Sequence, residues 1–413
     1  MMFKSEVSRS ELVMTGTENI ARKVVFKALG QLEGAGLTLV EHRGETYLFG
    51  DRHASCQAQL IVNNPAFYKR LLTGGSIAAG EAYIDGWWDS PDMTQVVRVI
   101  AKNLAVLERL EAKMSWLSVL KDKWLHRARR NSKDSAKQNI LAHYDLGNDF
   151  YRTFLDQNML YSAAIYDSEH QELFQAQINK MDRLCRKLNL SESDHLLEIG
   201  TGWGALAIHA AKYYGCKVTT TTISDAQHQW AKERIEQEGL SDRVTLLLSD
   251  YRELTGQYDK IVSVEMIEAV GKEFLTTYIK KCQSLLKPEG LFAIQAITMN
   301  DQRYDSYSKG VDFIQKYIFP GGFLPSITTV ANQMTENSDF VIRDIKDIGM
   351  DYAKTLSDWH QNFNDSVEKL TEQGFDGRFV RMWRFYLCYC EGGFLERSIS
   401  TVQLVASRSG WRE

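Results

Sequence analysis

Two stretches of this sequence combine residue types and spacings that could do chemistry. The first is Leu196-Leu-Glu-Ile-Gly-Thr-Gly-Trp-Gly204. Glycines after an apolar run let a backbone turn tightly and approach a ligand closely. The spacing of Gly200, Gly202 and Gly204 is G-x-G-x-G, not the G-x-G-x-x-G of dinucleotide sites. Glu198, just before the first glycine, also argues against a pyrophosphate, whereas a carboxylate there suits the ammonium group of an amino-acid-bearing ligand. The second stretch is Val264-Glu-Met-Ile-Glu-Ala-Val-Gly271, with Glu265 and Glu268 three positions apart. On a helix the two would share a face. Close carboxylates push one pKa upward, which suits a general base. The plainer readings are a structural turn for the first stretch and a solvated first helical turn for the second. His143 and Asp145 resemble an acid–base pair, but beside Gly147 and Asn148 they read as a loop that closes over a ligand. No His, Cys and Asp cluster has metal-ligand spacing.

These residues need elements to hold them. From about Ser193 the chain repeats strand, turn and helix: Leu196–Ile199, then a helix over Ala205–Tyr214; Lys217–Thr222, then a helix from Asp225. Val244–Leu248, Lys260–Val264 and Leu291–Ile297 read as further strands, the last after a helix ending near Lys287-Pro288-Glu-Gly290. Such alternation predicts an α/β fold with a doubly wound, mostly parallel sheet, its ligand crevice at the carboxyl ends of the strands. Residues 1–103 mix a helix over Ile20–Leu32 with strands at Leu37–Val40, Thr46–Phe49 and Gln57–Val62, a smaller α+β domain. Gly80–Asp89 reads as a turn rich in aromatic residues. Residues 104–137 form a basic helical linker in which Trp116 and Trp124 interleave with Lys113, Arg127, Arg129, Arg130 and Lys137. That mixture suits docking on an anionic lipid surface. Residues 138–413 make the catalytic domain.

A length of 413 residues with 44% apolar and 25% charged residues is ordinary for a globular protein. The net charge of −4 offers no overall attraction to nucleic acid. Six cysteines without paired spacing read as free thiols in a reducing compartment. Met1 to Gly16 has no apolar run of signal-peptide length, and no run reaches the roughly 18 residues of a membrane span. The expected location is the cytoplasm, with lipid reached peripherally at the inner face of the membrane.

Several uncommon motifs occur together: His143-Tyr-Asp-Leu-Gly-Asn-Asp149, Tyr161-Ser162, Glu198–Gly204, Thr222-Ile-Ser224, Asp250-Tyr-Arg252, Val264–Gly271, Tyr317-Ile-Phe-Pro-Gly-Gly322 and Asp351-Tyr-Ala-Lys-Thr-Leu356. In this order they resemble the cyclopropane-fatty-acyl-phospholipid synthases and the related mycolic acid methyltransferases, over roughly residues 138 to 407. The resemblance implies a class I methyltransferase fold with a seven-stranded sheet and S-adenosylmethionine as cofactor. It implies that Tyr161, Ser162, Glu198, Gly200, Thr201, Gly202, Gly204, Thr222 and Gln227 hold that cofactor, with Asp250 and Tyr251 beside its adenine. No carboxylate ends the second strand to take the ribose, so Thr222 and Gln227 stand in for it. In studied relatives a cysteine backbone, a glutamate, a histidine and a tyrosine hold a bicarbonate that takes a proton. Here Glu268 and Tyr352 persist, while Ala163 and Gln295 stand at the cysteine and histidine positions. A neutral amide cannot hold an anion by charge, so bicarbonate is a doubtful cofactor here. Glu265 stands where the family usually has a small residue.

The catalytic set implied is Glu268, Glu265, Tyr352 and Gln295. The reaction implied is transfer of a methyl or methylene group to the double bond of an unsaturated phospholipid acyl chain, giving a cyclopropane, or in the alternative a methyl-branched chain. It requires a dry slot, for which Tyr317, Phe319, Phe323, Tyr352, Trp359, Phe385 and Tyr386 supply aromatic surface. A small-molecule methyltransferase is a rival with the same cofactor half. The partners expected are phospholipid acyl chains and a membrane surface, without nucleic acid, and with a homodimer left open.

Overall fold

β-Branched and leucine-rich runs separated by amphipathic helices recur from residue 193 onward, and in the computed structural model each becomes a strand. The structure describes residues 13–104 and 146–412. Those residues form two units.

The first unit contains described residues 13–104, 310–313 and 367–398. Its sheet consists of β1 (Gly36–Val40), β2 (Thr46–Gly50), β3 (Gln57–Val62) and the short β4 (Trp88–Asp89), in the order β2-β1-β3-β4. Helix Gly16–Leu29 opens on a capping box in which Thr15 and Glu18 satisfy each other's backbone N–H groups. Gly80 to Ile84, expected in a turn, instead complete the helix Ala66–Ile84. The reason is packing: a Cβ at Gly80 would come within 2.6 Å of the Phe313 ring and 2.8 Å of the Phe385 ring. Residues 367–398, which the sequence assigns to the catalytic domain, pack here as well. Their helix Gly377–Leu395 places Arg381 over the Tyr83 ring at 3.8 Å, and its Glu391 accepts from Thr94 Oγ1 at 2.7 Å. An amphipathic helix carries no mark in its own sequence of the face it will cover.

The second unit contains described residues 146–309, 314–366 and 399–412. Its seven strands are β5 (His195–Ile199), β6 (Lys217–Thr222), β7 (Val244–Leu248), β8 (Tyr258–Val264), β9 (Leu286–Met299), β10 (Val341–Asp347) and β11 (Ile399–Ser407). They lie in the order β7-β6-β5-β8-β9-β11-β10. The first five in this order are parallel, and β11 is antiparallel to both neighbours. Alternation sends Leu197 and Ile199 to one buried cluster and Leu196 to the other, so both faces of the sheet are covered. Lys287 to Gly290, expected at a helix end, lie inside β9, where the register against β8 shifts. Chain order reverses between β5 and β8, so the crevice rule points to the segments that follow Ile199 and Val264.

The expected basic linker beyond Leu104, and His143 and Asp145, lie outside the described residues. No described helix is long and apolar enough to cross a membrane. All six cysteines are unpaired, five of them buried.

Candidate active site

β5 delivers the glycine turn. The N–H groups of Gly200 and Thr201 both donate to the Thr221 carbonyl, at 3.1 and 2.9 Å, which pins the turn to the end of β6. Gly202 has φ +54, and a Cβ there would meet no protein atom within 4 Å, so this side of the turn is open. At Gly204 the demand is different: with φ +91, a Cβ would sit 3.1 Å from Ala231 Cβ, in the seam between helices Ala205–Tyr214 and Asp225–Gln237. Glu198 is buried and accepts from Thr220 Oγ1 at 2.6 Å, and Thr201 Oγ1 lies 2.6 Å from the same hydroxyl. Burial raises its pKa to about 8. At the tip of β6, Thr222 Oγ1 donates to Gln227 Oε1 at 2.9 Å, which turns the Gln227 amide nitrogen outward from that pair. Asp250 caps the short turn after β7 and pairs with Arg252 at 2.7 Å, while Tyr251 meets Tyr278 edge to face at 5.5 Å.

Helix Leu173–Lys187 contributes a lysine that spacing alone could have singled out. Its buried face runs Leu173, Ala176, Gln177, Lys180, Met181 and Leu184, so Lys180 interrupts an apolar stripe. Burial lowers its pKa to about 8, against Glu265, Asp156 and Glu198, which hold it up. Lys180 Nζ donates to Ser162 Oγ at 2.7 Å, and Gln177 Nε2 donates to the Ser162 carbonyl at 2.9 Å. Ser162 is thereby fixed, and the neighbouring Tyr161 ring packs 5.2 Å from Trp359, 5.4 Å from Tyr151 and 6.1 Å from Phe319. Asn148 accepts from the Trp203 indole N–H at 2.8 Å, which ties the Gly147-Asn148 segment to the glycine turn.

The carboxylate after β8 is held by three protein donors. Glu265 Oε1 accepts from Ala163 N–H at 2.9 Å and Gln295 Nε2 at 2.8 Å, and Oε2 accepts from Tyr352 OH at 2.9 Å. Those donors come from three separate segments. Burial raises the Glu265 pKa above the ordinary carboxylate value, and Gln295, Ala163, Lys180 and Tyr352 pull it only part of the way back. Its backbone is in the left-handed region, φ +49, which costs roughly 1–2 kcal/mol for a residue with a Cβ. Such strain persists where surrounding contacts hold it.

Glu268 lies in the short helix Ile267–Val270, which Glu265 precedes, so the two are close without sharing a helical face. Its Oε1 accepts from Ile297 N–H, and its Oε2 is buried with no hydrogen-bond partner among the described residues. Burial first, and then the Glu265 charge, raise its pKa to about 8.

Residues 131–404 match the family described as mycolic acid cyclopropane synthetase. The chain belongs to that family. It is 38% identical to a tuberculostearic acid methyltransferase of Mycobacterium tuberculosis, over 85% of this chain and 83% of that one. It is also 38% identical to the cyclopropane-fatty-acyl-phospholipid synthase of Escherichia coli K12, over 86% of this chain and 89% of that one. The structure of cyclopropane synthase MmaA2 from Mycobacterium tuberculosis superposes with a TM-score of 0.61 at 27% identity, over 66% of this chain and 98% of that one. Mycolic acid cyclopropane synthase CmaA1, solved with S-adenosylhomocysteine, gives 0.62 at 27% identity over the same shares. The chain is therefore an S-adenosylmethionine-dependent, lipid-modifying methyltransferase with the class I fold. The open flank of Gly202 and the fixed Ser162 hydroxyl fit a cofactor with an amino-acid end.

The structure brings Glu265, Gln295 and Tyr352 into direct contact. Phe385 and Tyr386, expected in an aromatic slot, pack within the first unit against Phe313 and Trp383. Lys180, Gln403 and Arg183 stand outside the motifs of the sequence. Gln403 had one signal, as the lone amide in the apolar run of β11.

Proposed function

We propose that this methyltransferase modifies the double bond of an unsaturated acyl chain in a phospholipid and closes a cyclopropane by losing a proton to Glu265. The observation that carries the reading is the carboxylate held by Ala163, Gln295 and Tyr352 at the switch point of the sheet. Tyr161, Ser162, Gly200, Thr201, Gly202, Gly204, Thr222 and Gln227 hold the cofactor, Asp250 and Tyr251 flank its adenine, and Glu198 braces the turn. Bound there, S-adenosylmethionine supplies an electrophilic methyl group.

An isolated alkene is a weak nucleophile, so its first requirement is a fixed approach. Methylation leaves positive charge on the neighbouring chain carbon. Water would quench that charge, and Tyr161, Phe319, Tyr352 and Trp359 form an aromatic cluster suited to excluding it. Glu265 then takes a proton from the new methyl group, and the C–H electron pair closes the three-membered ring. Glu265 is assigned as the base of the pair because three donors favour its ionised, proton-accepting form. Glu268 keeps its proton up to about pH 8 and lies beside it as a neutral acid. On this reading the protein works from the cytoplasm and meets phospholipid peripherally at the inner face of the membrane.

A second reading is favoured by the tuberculostearic acid methyltransferase relative: loss of the proton from a chain carbon gives a methyl-branched alkene. Mass spectrometry of lipids made with a trideuterated methyl donor separates the two. A cyclopropane retains two deuterium atoms and a methyl-branched alkene retains three. Unlabelled lipid, with label in a small soluble product, would overturn both readings.

A further inference from the structure

Gln295 does not stand alone behind Glu265. Its carbonyl Oε1 accepts from Gln403 Nε2 at 2.9 Å, and Gln403 Oε1 accepts from Arg183 Nε at 3.0 Å. Gln295 and Gln403 are register partners on β9 and β11, and both side chains are buried. Each amide has a donor end and an acceptor end, so either could in principle be reversed. The two ends of the chain remove that freedom. A guanidinium only donates, and an ionised carboxylate only accepts. Arg183 therefore sets the polarity of Gln403, Gln403 sets that of Gln295, and the Gln295 N–H is left facing Glu265 Oε1 at 2.8 Å and the Ala163 carbonyl at 3.1 Å.

Taking Glu265 as the proton acceptor proposed above, we propose that Gln403 and Arg183 are positioning residues that hold the Gln295 amide with its N–H toward that carboxylate, keeping it ionised and aimed. Neither touches the reacting atoms. The other titratable groups facing Glu265 are Lys180 on helix Leu173–Lys187, Glu268 on helix Ile267–Val270 and Tyr352 on helix Gly349–Asp365. Gln403 reaches Glu265 through the Gln295 amide, so changes at Gln403 act on that donor of Glu265.

The test compares Gln403→Leu, Gln403→Glu, Arg183→Met and Arg183→Lys in the full-length protein, with unsaturated phospholipid vesicles as substrate and turnover measured across pH. Losing one oriented hydrogen bond to a charged acceptor is expected to move the acidic limb of kcat upward by about one pH unit. Gln403→Leu and Arg183→Met should show this with S-adenosylhomocysteine affinity unchanged. Gln403→Glu should be worst, because a carboxylate paired with Arg183 draws the Gln295 N–H away and turns its carbonyl toward Glu265. Arg183→Lys keeps a donor-only group and should restore the wild-type limb. Thermal melting identifies any variant that fails to fold, and the remaining variants carry the test. An unmoved limb in folded Gln403→Leu and Gln403→Glu would overturn the proposal. Glu265→Gln tells the two ideas apart: if it keeps wild-type turnover and pH dependence, the base assignment fails. If it loses turnover while the Gln403 variants leave the limb in place, only the relay fails.

Discussion

Replacing Glu265 by glycine should convert a built-in base into a binding site for one supplied from solution. The backbone gains, since φ +49 is free of penalty for glycine and costs roughly 1–2 kcal/mol with a Cβ present. The side chain leaves behind the Ala163 N–H and the Tyr352 hydroxyl, whereas the Gln295 amide keeps the Ala163 carbonyl at 3.1 Å. A buried donor that loses this acceptor costs about 1–3 kcal/mol unless water, an anion or another partner takes its place. The backbone term offsets part of that cost, so net stability should fall by roughly 0–5 kcal/mol, least where water or an anion fills the space, readable as a lowered Tm. Activity should fall much further, by roughly 10²–10⁴-fold, the usual worth of a positioned base. Formate or bicarbonate, planar and able to accept from the same donors, should restore turnover saturably in the glycine variant and leave wild type unaffected. Glu265→Gln supplies the contrast, because it keeps the strain, fills the space and admits no anion. Two results would refute the reasoning: near wild-type turnover of Glu265→Gly in carbonate-depleted buffer, or strong stimulation of wild type by bicarbonate.

Three further outcomes are expected. Gly202→Val should abolish S-adenosylhomocysteine binding in calorimetry, since φ +54 and the open flank tolerate no β-branched side chain beside a ligand; unchanged affinity in the folded variant would move the cofactor elsewhere. Glu268 has a pKa near 4.5 when unfolded and about 8 when folded, so between those values the folded state holds a proton that the unfolded chain has released. That group makes stability fall as pH rises through this window, and Glu268→Gln should flatten the decline of the urea midpoint between pH 5 and 8; an identical slope would contradict the assignment. Reversing Arg127, Arg129 and Arg130 to glutamate, in the segment outside the described residues, should weaken sedimentation with anionic vesicles most at low salt, and unaffected binding would reduce the segment to a linker.

The parallel strands were legible because β-branched and leucine-rich runs leave a local trace. The bounds of β6 and β7 are those expected, as is helix Ala205–Tyr214. What sequence conceals is which buried surface a segment joins. Gly80 looked like punctuation and is instead a close-packing position against Phe313. Helix Gly377–Leu395 followed the catalytic segments in sequence and packs in the first unit.

The same divide runs through the active site. Glycines and acids announce themselves by type, so the turn at Gly200–Gly204 and the pair Glu265 and Glu268 could be read directly. The division of labour within that pair could not, because it depends on who donates to each carboxylate. Ala163, Gln295 and Tyr352, spread over nearly two hundred positions, converge on Glu265, while Glu268 Oε1 accepts from the Ile297 N–H and its Oε2 has no hydrogen-bond partner among the described residues. Ionic character in a buried site follows from such donors more than from the acid itself. The Gln295 position illustrates the point: an amide lacks the charge of an imidazolium, yet Gln403 and Arg183 give it a fixed direction. If Glu265 is the anion proposed above, set on a strained backbone, that direction matters to it more than a second charge would.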